Sequence, residues 1–221
     1  MFLIRFLFAA LAYFLLCVCL LSIAYRVSVP PSTLMLKRWL MGERVERSWV
    51  PIRLMSPNLI EGVIVAEDAR YCQHRGVDWV ELRRAVTEAA EESENPRGAS
   101  TITMQTARNL FLWQGRSYIR KALEIPLAML IDIVIGKRRT MEIYLNIAEW
   151  GEGIFGAEAA SQHYFHKSVR YLSAGEAALL VASLPSPVRR NPAKPGAYTQ
   201  KYAGKITRRL QADAAVVGCV R

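Results

Sequence analysis

The sequence predicts a mainly α-helical domain behind an apolar N-terminal segment. Three observations carry this prediction. From Pro51 onward, apolar residues recur at helical spacing, capping residues precede several of these runs, and strand signals are weak. With 221 residues, the chain has room for one ordinary domain and a short appendage, and its 52% hydrophobic content is sufficient for a core.

The N-terminal segment contains an uncharged run from Phe6 to Tyr25. A helix needs about 20 apolar residues to cross a bilayer, whereas the apolar part of a cleaved signal peptide usually spans about 7–15. We therefore predict that residues 1–28 form a retained membrane anchor with one transmembrane helix. Charge does not predict its orientation, because Arg5 lies before the apolar run and Arg26 directly after it.

Residues 29–50 are predicted to be a juxtamembrane linker. Two prolines, Pro30 and Pro31, end the apolar run, and residues 34–49 mix basic and apolar side chains. This stretch either lies on the bilayer surface or packs against the domain that follows. We place that domain at residues 51–215.

The domain begins with a helix after Ser56 and Pro57, a cap followed by a proline in the first turn. The apolar face of this helix leads directly into Glu67. A second helix is predicted after Asp78, which starts a variant of the capping box. The polar residues 91–97, which include a proline, are predicted to form a mobile loop.

Further helices are predicted in the second half of the chain. Ser117 is expected to cap a helix whose apolar face includes Ile119 and Leu123. Three more helices follow: one at residues 137–146, one that starts at the Ser173–Glu176 capping box and ends before Pro185, and a basic amphipathic helix at residues 198–210.

Charge and cysteine content narrow the range of partners. The net charge of +10 and the pI near 9.7 favour an anionic partner: nucleic acid, an anionic membrane surface or a phosphorylated substrate. We expect no nucleic acid, because neither a zinc-finger nor an aromatic-rich RNA-recognition pattern occurs in the sequence. Cys72 and Cys219 can pair in an oxidising compartment, although the sequence does not require it.

Four short motifs occur in a fixed order in one stretch of the chain. They read Val65-Ala66-Glu67-Asp68, Tyr71-x-x-His74-x-Gly76-x-Asp78, Gly98-Ala99-Ser100-Thr101-Ile102-Thr103-Met104-Gln105 and Arg120-Lys121-x-x-Glu124. Two carboxylates, Glu67 and Glu124, therefore lie at the two ends of a run of hydroxyl, amide and cationic side chains. Such a set can activate a sugar hydroxyl at one end and hold a pyrophosphate at the other.

Each motif also has a plainer structural explanation. Glu67 can cap or pair at the end of its helix, although apolar neighbours would raise the pKa of its carboxylate as a base requires. The Ser/Thr run can form a turn and a helix cap. Arg120, Lys121 and Glu124 can form a surface ion pair worth a few tenths of a kcal/mol. The order of all four motifs favours the functional explanation.

The motifs resemble those of the peptidoglycan glycosyltransferases, the lipid II polymerases, in their monofunctional form. The resemblance covers about Leu54 to Pro192 and ends with Leu184-Pro185-x-Pro187. It implies a lysozyme-like, mainly helical fold. Since the sequence has no Ser-x-x-Lys or Lys-Thr-Gly set, we expect no transpeptidase activity.

The resemblance assigns roles to individual residues. It makes Glu67 the general base for the acceptor hydroxyl, and Glu124 the second essential carboxylate, which assists departure of the diphosphate. The implied substrate-binding residues are Asp68, His74, Ser100, Thr101, Gln105, Arg108, Arg120 and Lys121. The cations among them would hold the pyrophosphate, with Mg²⁺ or Mn²⁺ as an optional cofactor and no organic cofactor.

Four positions raise specific expectations about the site. Tyr71 stands where the family usually has phenylalanine, and keeps the ring. Met104 replaces a glutamine, which removes any hydrogen bond from that side chain. Arg108 replaces a lysine, so it would bind pyrophosphate as a planar fork. Pro126 is expected to kink its helix or mark a boundary near Glu124.

The implied function is inverting β-1,4 transfer that joins lipid II to a growing glycan strand and releases undecaprenyl diphosphate. The resemblance places the enzyme in the bacterial inner membrane with its catalytic domain in the periplasm, among membrane lipids and cell-wall synthesis or division proteins. Two alternatives remain open. A lysozyme-like glycan hydrolase also uses two carboxylates, but it leaves the basic cluster beside Glu124 unexplained. The other alternative is a non-catalytic cell-wall scaffold.

Overall fold

The computed structural model describes residues 2–91, 99–115, 117–212 and 217–221. These residues form a mainly α-helical structure, which confirms the predicted fold class. The helices are α1 (Phe2–Ala24), α2 (Thr33–Leu40), α3 (Pro57–Glu67), α4 (Trp79–Glu91), α5 (Ile102–Phe111), α6 (Tyr118–Val134), α7 (Lys137–Ile147), α8 (Ala157–Phe165), α9 (Ala174–Ser183) and α10 (Ala197–Ala212). The strands are β1 (Glu46–Arg47), β2 (Glu149–Gly151) and β3 (Ile154–Phe155).

Most predicted helix starts are confirmed by their caps. Side chains of Asp78, Ser117 and Ser173 accept backbone N–H groups at the starts of α4, α6 and α9. These bonds satisfy donors that the first turn of a helix leaves open. Ser56 is the exception, because its hydroxyl donates to the Leu172 carbonyl at 3.0 Å and caps nothing.

The buried face of α6 differs from the prediction. Ile119 and Leu123 are exposed, whereas Arg120 and Glu124 are buried with the apolar residues of the next turns. The helix is therefore rotated so that its ion pair faces the interior. Apolar periodicity cannot predict this rotation, because it assumes that charged side chains face water.

Helix α6 continues through Pro126, so the predicted boundary is wrong. A proline in this position removes the hydrogen bond to the carbonyl of Ala122. Ala122 and Pro126 are both exposed, which leaves that carbonyl open to water. Glu124 therefore sits on a continuous helix, four residues after Arg120.

Residues of the predicted linker pack against the domain from Thr33 onward. The Thr33 hydroxyl donates to the Leu112 carbonyl at 2.6 Å, and Met35 is fully buried. Strand β1 pairs in parallel with β3, which pairs antiparallel with β2. These strands have two or three residues each, too few for an alternating pattern in the sequence. The domain bounds 51–215 stay a prediction.

Two apolar clusters form the core, and α7 contributes to both. Met141 and Leu145 pack into the cluster built mainly on α3, α8, α9 and α10. Ile143 and Ile147 pack into the cluster built mainly on α5 and α6. The end of α3 and the start of α5 meet beside α7, and this junction carries the predicted site residues.

A disulfide joins Cys72 to Cys219, so the pairing that the sequence allows does form. The Cα atoms lie 5.5 Å apart across a sequence separation of 147 residues. Val217 and Val220, on either side of Cys219, are buried in the larger core cluster. The C-terminal residues are thereby fastened to the turn that follows α3.

Within the described residues, no helix is both long enough and apolar enough to cross a membrane. The membrane anchor predicted for residues 1–28 stays a prediction. Of the predicted mobile loop at residues 91–97, Glu91 ends α4 and the remainder lies outside the described residues, as does Gly98.

Candidate active site

Glu67 ends α3 with its carboxylate held by one side chain. Gln105, on α5, donates its Nε2 hydrogen to Glu67 Oε2 at 2.9 Å. Burial raises the pKa of Glu67, and the negative charge of Asp68 adds to that rise. The bond from Gln105 and the positive charge of Arg108 oppose it in part. A glutamate with a raised pKa has the strength that a general base needs near neutral pH.

Gln105 connects Glu67 to a tyrosine that sequence analysis missed. The Tyr144 hydroxyl donates to Gln105 Oε1 at 3.2 Å, so both ends of the amide have a partner. Burial and then the charge of Glu67 raise the pKa of Tyr144 well above its usual range. Tyr144 therefore remains a neutral donor, which fixes Gln105 with its N–H group towards Glu67.

Asp68 holds three parts of the chain together. Its Oδ2 accepts the backbone N–H of Ile102 at 3.0 Å, at the start of α5. His74 Nε2 donates to Asp68 Oδ1 at 2.9 Å, and both side chains are almost completely buried. The edge of the Tyr71 ring packs against His74. Asp68 thereby joins the turn after α3 to the start of α5, next to Glu67, and its predicted contact with substrate stays a prediction.

Gly76 and Thr101 close the same junction. The Thr101 hydroxyl donates to the Gly76 carbonyl at 2.6 Å and accepts the Met104 N–H at the start of α5. A side chain on Gly76 would collide with the Ala128 carbonyl, since a Cβ would lie 2.5 Å from that oxygen. The second and third motifs thus lock α5 against α6. The hydroxyl hydrogen of Thr101 is already engaged in this contact.

Glu124 is buried between two cations. Arg120 Nη1 bonds to its Oε1, and Lys121 Nζ lies 2.9 Å from its Oε2. Glu124 is 1% exposed, whereas the Lys121 side chain is 35% exposed. Lys121 also donates to the Ser100 hydroxyl. A polar chain therefore runs from Ser100 at the cleft, through Lys121, to Glu124 beneath the surface.

Two cavities are lined by the two partners of the Glu67–Gln105 hydrogen bond. The first has a volume of about 260 Å³, and Glu67, Asp68, Ser100 and Thr101 lie in its wall. The second also has a volume of about 260 Å³, and Gln105 and Arg108 lie in its wall. We refer to these two cavities together as the cleft.

Several predicted site residues do not line either cavity. His74, Arg120, Lys121 and Glu124 are absent from both linings, although Lys121 reaches Ser100. Met104 is fully buried in the apolar cluster of α5 and α6. A methionine at this position therefore contributes to the core and takes no hydrogen bond away from the cleft.

Cationic residues that sequence analysis missed line the first cavity. Arg84 and Arg209 project from α4 and α10 into the cavity that contains Glu67. Arg70 and Glu81 also line it. Only the basic outer face predicted for the last helix hinted at Arg209, because the tertiary fold alone brings α4 and α10 together.

Two cationic side chains meet the charge of Glu124, and the predicted Mg²⁺ or Mn²⁺ cofactor stays a prediction. Arg120 and Lys121 already occupy the two carboxylate oxygens. No group of three or more His, Cys, Asp or Glu side chains suited to a metal occurs in the part of the chain that the structure describes. The positive charge at this carboxylate thus comes from side chains.

Comparison with known proteins gives concordant matches over most of the chain. A sequence model described as Transglycosylase matches residues 34–211. A protein named biosynthetic peptidoglycan transglycosylase from Agrobacterium fabrum is 51% identical over 191 residues, which cover 86% of this chain and 84% of that protein. Proteins of the same name from Brucella suis and Nitrobacter winogradskyi are 50% and 51% identical, covering 87% and 90% of this chain and 85% and 88% of theirs.

Proposed function

This chain belongs to the transglycosylase family, and we propose that its cleft joins lipid II units into the glycan strands of peptidoglycan. The observation that carries this proposal is the setting of Glu67. Its carboxylate lies in the cleft, its pKa is raised by burial, and Gln105 fixes its direction. Arg108 in the second cavity and Lys121 beside Ser100 suit a substrate that bears a diphosphate.

The proposed step is an inverting displacement at the anomeric carbon of the donor sugar. Glu67 removes the proton from the acceptor 4-hydroxyl as that oxygen attacks the anomeric carbon. A glycosidic C–O bond forms, and the bond from the same carbon to the diphosphate oxygen breaks. The electron pair and the negative charge leave with the undecaprenyl diphosphate. Glu67 later returns its proton to solvent.

The diphosphate is proposed to lie near the cationic residues of the cleft. Lys121 is the partly exposed member of the buried ion-pair cluster and already contacts Ser100 at the cavity wall. Glu124 and Arg120 hold Lys121 in that position. Arg108, in the second cavity, presents a further guanidinium for a phosphate oxygen. His74 positions Asp68, and Thr101 positions the start of α5.

A divalent cation is not needed for any step of this proposal. Arg120 and Lys121 supply the charge at Glu124 that Mg²⁺ or Mn²⁺ would otherwise supply. Titration of activity with a chelator tests this view. We expect polymerisation to survive chelation, and loss of activity that Mg²⁺ restores would contradict it.

The lysozyme-like identity of the fold remains an expectation from the family resemblance.

We also propose that residues 1–28 anchor the enzyme in the inner membrane with the domain in the periplasm. The uncharged run from Phe6 to Tyr25 supports anchoring. The Cys72–Cys219 disulfide supports an oxidising compartment such as the periplasm. Alkaline extraction of membranes tests the anchor, and protease digestion of spheroplasts tests the side. Release of the protein by alkali would contradict the anchor. Protection from protease in intact spheroplasts would contradict the periplasmic location of the domain.

The decisive experiment is polymerisation of labelled lipid II by the full-length protein in detergent, beside Glu67→Gln. Long lysozyme-sensitive strands from the wild type alone would support both the polymerase and its base. Shortening of finished glycan without polymerisation would instead support the hydrolase. Lipid II binding without either reaction would support a scaffold.

A further inference from the structure

A second cationic cavity lies outside the catalytic cleft. It has a volume of about 520 Å³ and shares no lining residue with either half of the cleft. Four cationic side chains and one carboxylate line it: Arg26, Lys137, Arg138, Arg139 and Glu142. This excess of positive charge in one concave surface favours an anionic group.

The carboxylate and two of the cations are already engaged by the fold. Glu142 bonds to Arg139 and accepts the backbone N–H of Ile52. Lys137 lies 2.8 Å from Asp132 Oδ1 and above the Tyr71 ring. Arg26 and Arg138 are exposed and form no ion pair within the described ranges. Two guanidinium groups therefore remain available to a ligand.

Arg26 is held in place by hydrogen bonds to the backbone before and after it. Arg139 Nε donates to the Tyr25 carbonyl at 3.1 Å, and Arg139 Nη2 donates to the Ser28 carbonyl. The Arg139 guanidinium also lies over the Trp49 ring, 5.1 Å from its centre. The backbone around Arg26 is thus fixed to α7, and Arg26 is held at the same cavity as Arg138.

An apolar cavity of about 330 Å³ adjoins this cationic one, and Arg138 lines both. Its apolar walls come from Ile52, Met55, Pro57, Ile60, Val217 and Val220. The exposed Arg53 and the Arg221–Glu61 ion pair lie at the same cavity. A free phosphate would use only the cationic cavity. A molecule with a phosphate group and an apolar chain would use both, with Arg138 at the junction.

We propose that these paired cavities bind an anionic phospholipid, with its phosphate between Arg26 and Arg138 and the start of its acyl region against the apolar walls. The site lies directly after the apolar N-terminal run, where a lipid headgroup would be at hand. The inference rests on the membrane anchoring proposed above. It adds a bound lipid that is distinct from the lipid-linked substrate in the catalytic cleft.

The test is the melting temperature of the full-length protein in a neutral detergent during titration with phosphatidylglycerol. A ligand that binds only the folded state, at a concentration about 100-fold above its Kd, should raise Tm by roughly 5–10 °C for a chain of this size. We expect phosphatidylcholine and soluble glycerol 3-phosphate to give much smaller shifts. An equal shift with either compound would overturn the assignment to an anionic phospholipid.

Two variants locate the effect. The double variant Arg26→Gln/Arg138→Gln should lose most of the Tm shift, and Lys205→Gln should keep it. Lys205 is an exposed cation of α10 outside all four cavities, so Lys205→Gln removes a positive surface charge without touching the site. A full shift in the double variant would overturn the proposal.

A second measurement does not depend on basal stability. Native mass spectrometry should show fewer retained phosphatidylglycerol molecules on the double variant than on Lys205→Gln, and equal retention would also overturn the proposal. Lipid II polymerisation in neutral detergent should be unchanged in both variants. Failure of the lipid site is therefore distinguishable from failure of the proposed polymerase.

Discussion

Glu67 and Glu124 are both carboxylates beside one cleft, but their surroundings differ in kind. Glu67 accepts a hydrogen bond from a neutral amide, and burial raises its pKa. Glu124 is more deeply buried and bonds to two cations, Arg120 and Lys121. A neutral partner leaves Glu67 able to take a proton. Two cationic partners make Glu124 part of a structural and electrostatic unit.

This difference separates two demands of glycosyl transfer. The base must be desolvated enough to accept a proton, yet remain accessible to the acceptor hydroxyl. The leaving diphosphate must meet positive charge that is already in place. In the proposed mechanism, Glu67 meets the first demand at the cleft. Glu124 meets the second indirectly, since it positions Lys121, which reaches the wall of the cleft through Ser100.

The largest effect is expected from Glu67→Gln. Loss of a general base should lower kcat/KM for lipid II polymerisation by about 10²–10⁴-fold. The fold should not suffer. The folded-state pKa of Glu67 is raised, so the ionised group costs stability once the pH exceeds its unfolded value of about 4.3.

Thermal melting of Glu67→Gln across pH checks the second part of that expectation. At neutral pH the variant should be at least as stable as the wild type. This advantage should shrink as the pH falls through the folded-state pKa of Glu67. A variant that is less stable at neutral pH and no longer catalytic would make Glu67 a structural residue.

The next largest effect is expected from loss of the Cys72–Cys219 disulfide, which lies on the Glu67 side of this comparison. Cys219→Ser removes a crosslink that closes a loop of 147 residues, and should destabilise the protein by about 2–5 kcal/mol. The disulfide fastens Cys219 to the turn that carries Tyr71 and His74. Melting with and without dithiothreitol gives the measurement. Reduction should lower the Tm of the wild type towards that of the variant, and a Tm insensitive to reduction would contradict the pairing.

Glu124→Gln should behave unlike Glu67→Gln, because it leaves the buried Arg120 without the negative charge of its partner. Removing one partner of a buried ion pair costs on the order of 3 kcal/mol of unfolding free energy. The loss should be smaller here, because Lys121 is partly exposed to solvent. Denaturant unfolding measures this loss. Glu43→Gln, in a more exposed pair with Arg38, is the control and should change stability by less than about 1 kcal/mol. Equal, small losses in both variants would remove the contrast between the two carboxylates.

A substitution at Met104 tests whether one face of α5 packs only in the core while the other faces the cleft. Its side chain is fully buried in the core, whereas Gln105, the next residue, faces Glu67. Met104→Gln restores the residue usual in the family but buries an amide, and should destabilise by roughly 1–3 kcal/mol. Polymerisation per folded molecule should not rise. Higher activity with unchanged stability would place this side chain in the cleft.

The sequence predicted one side of this comparison better than the other. The end of α3 at Glu67 follows from the apolar face of that helix, whereas helix α5 was not predicted, and only its cap was offered as a plainer explanation of the Ser/Thr run. The role of Glu67 as the base stays a prediction. The inward face of α6 does not follow, because its buried residues Arg120 and Glu124 are charged. Tyr144, Arg84 and Arg209 were missed for a related reason: only tertiary packing brings their helices to the cleft.

The smallest effect is expected from a change to Gln105, the neutral hydrogen-bond partner of Glu67. Gln105→Met removes the hydrogen bond that holds down the pKa of Glu67, so that pKa should rise further. The base is then protonated up to a higher pH, and the acidic limb of kcat/KM should move to higher pH. At neutral pH the loss should be on the order of tenfold, the value of one hydrogen bond to a charged group. Tyr144→Phe is the matched control, because it frees the far end of the amide but leaves the bond to Glu67 in place. A pH profile unmoved by Gln105→Met would mean that the neutral amide does not tune the base, and that the contrast with Glu124 lies in burial alone.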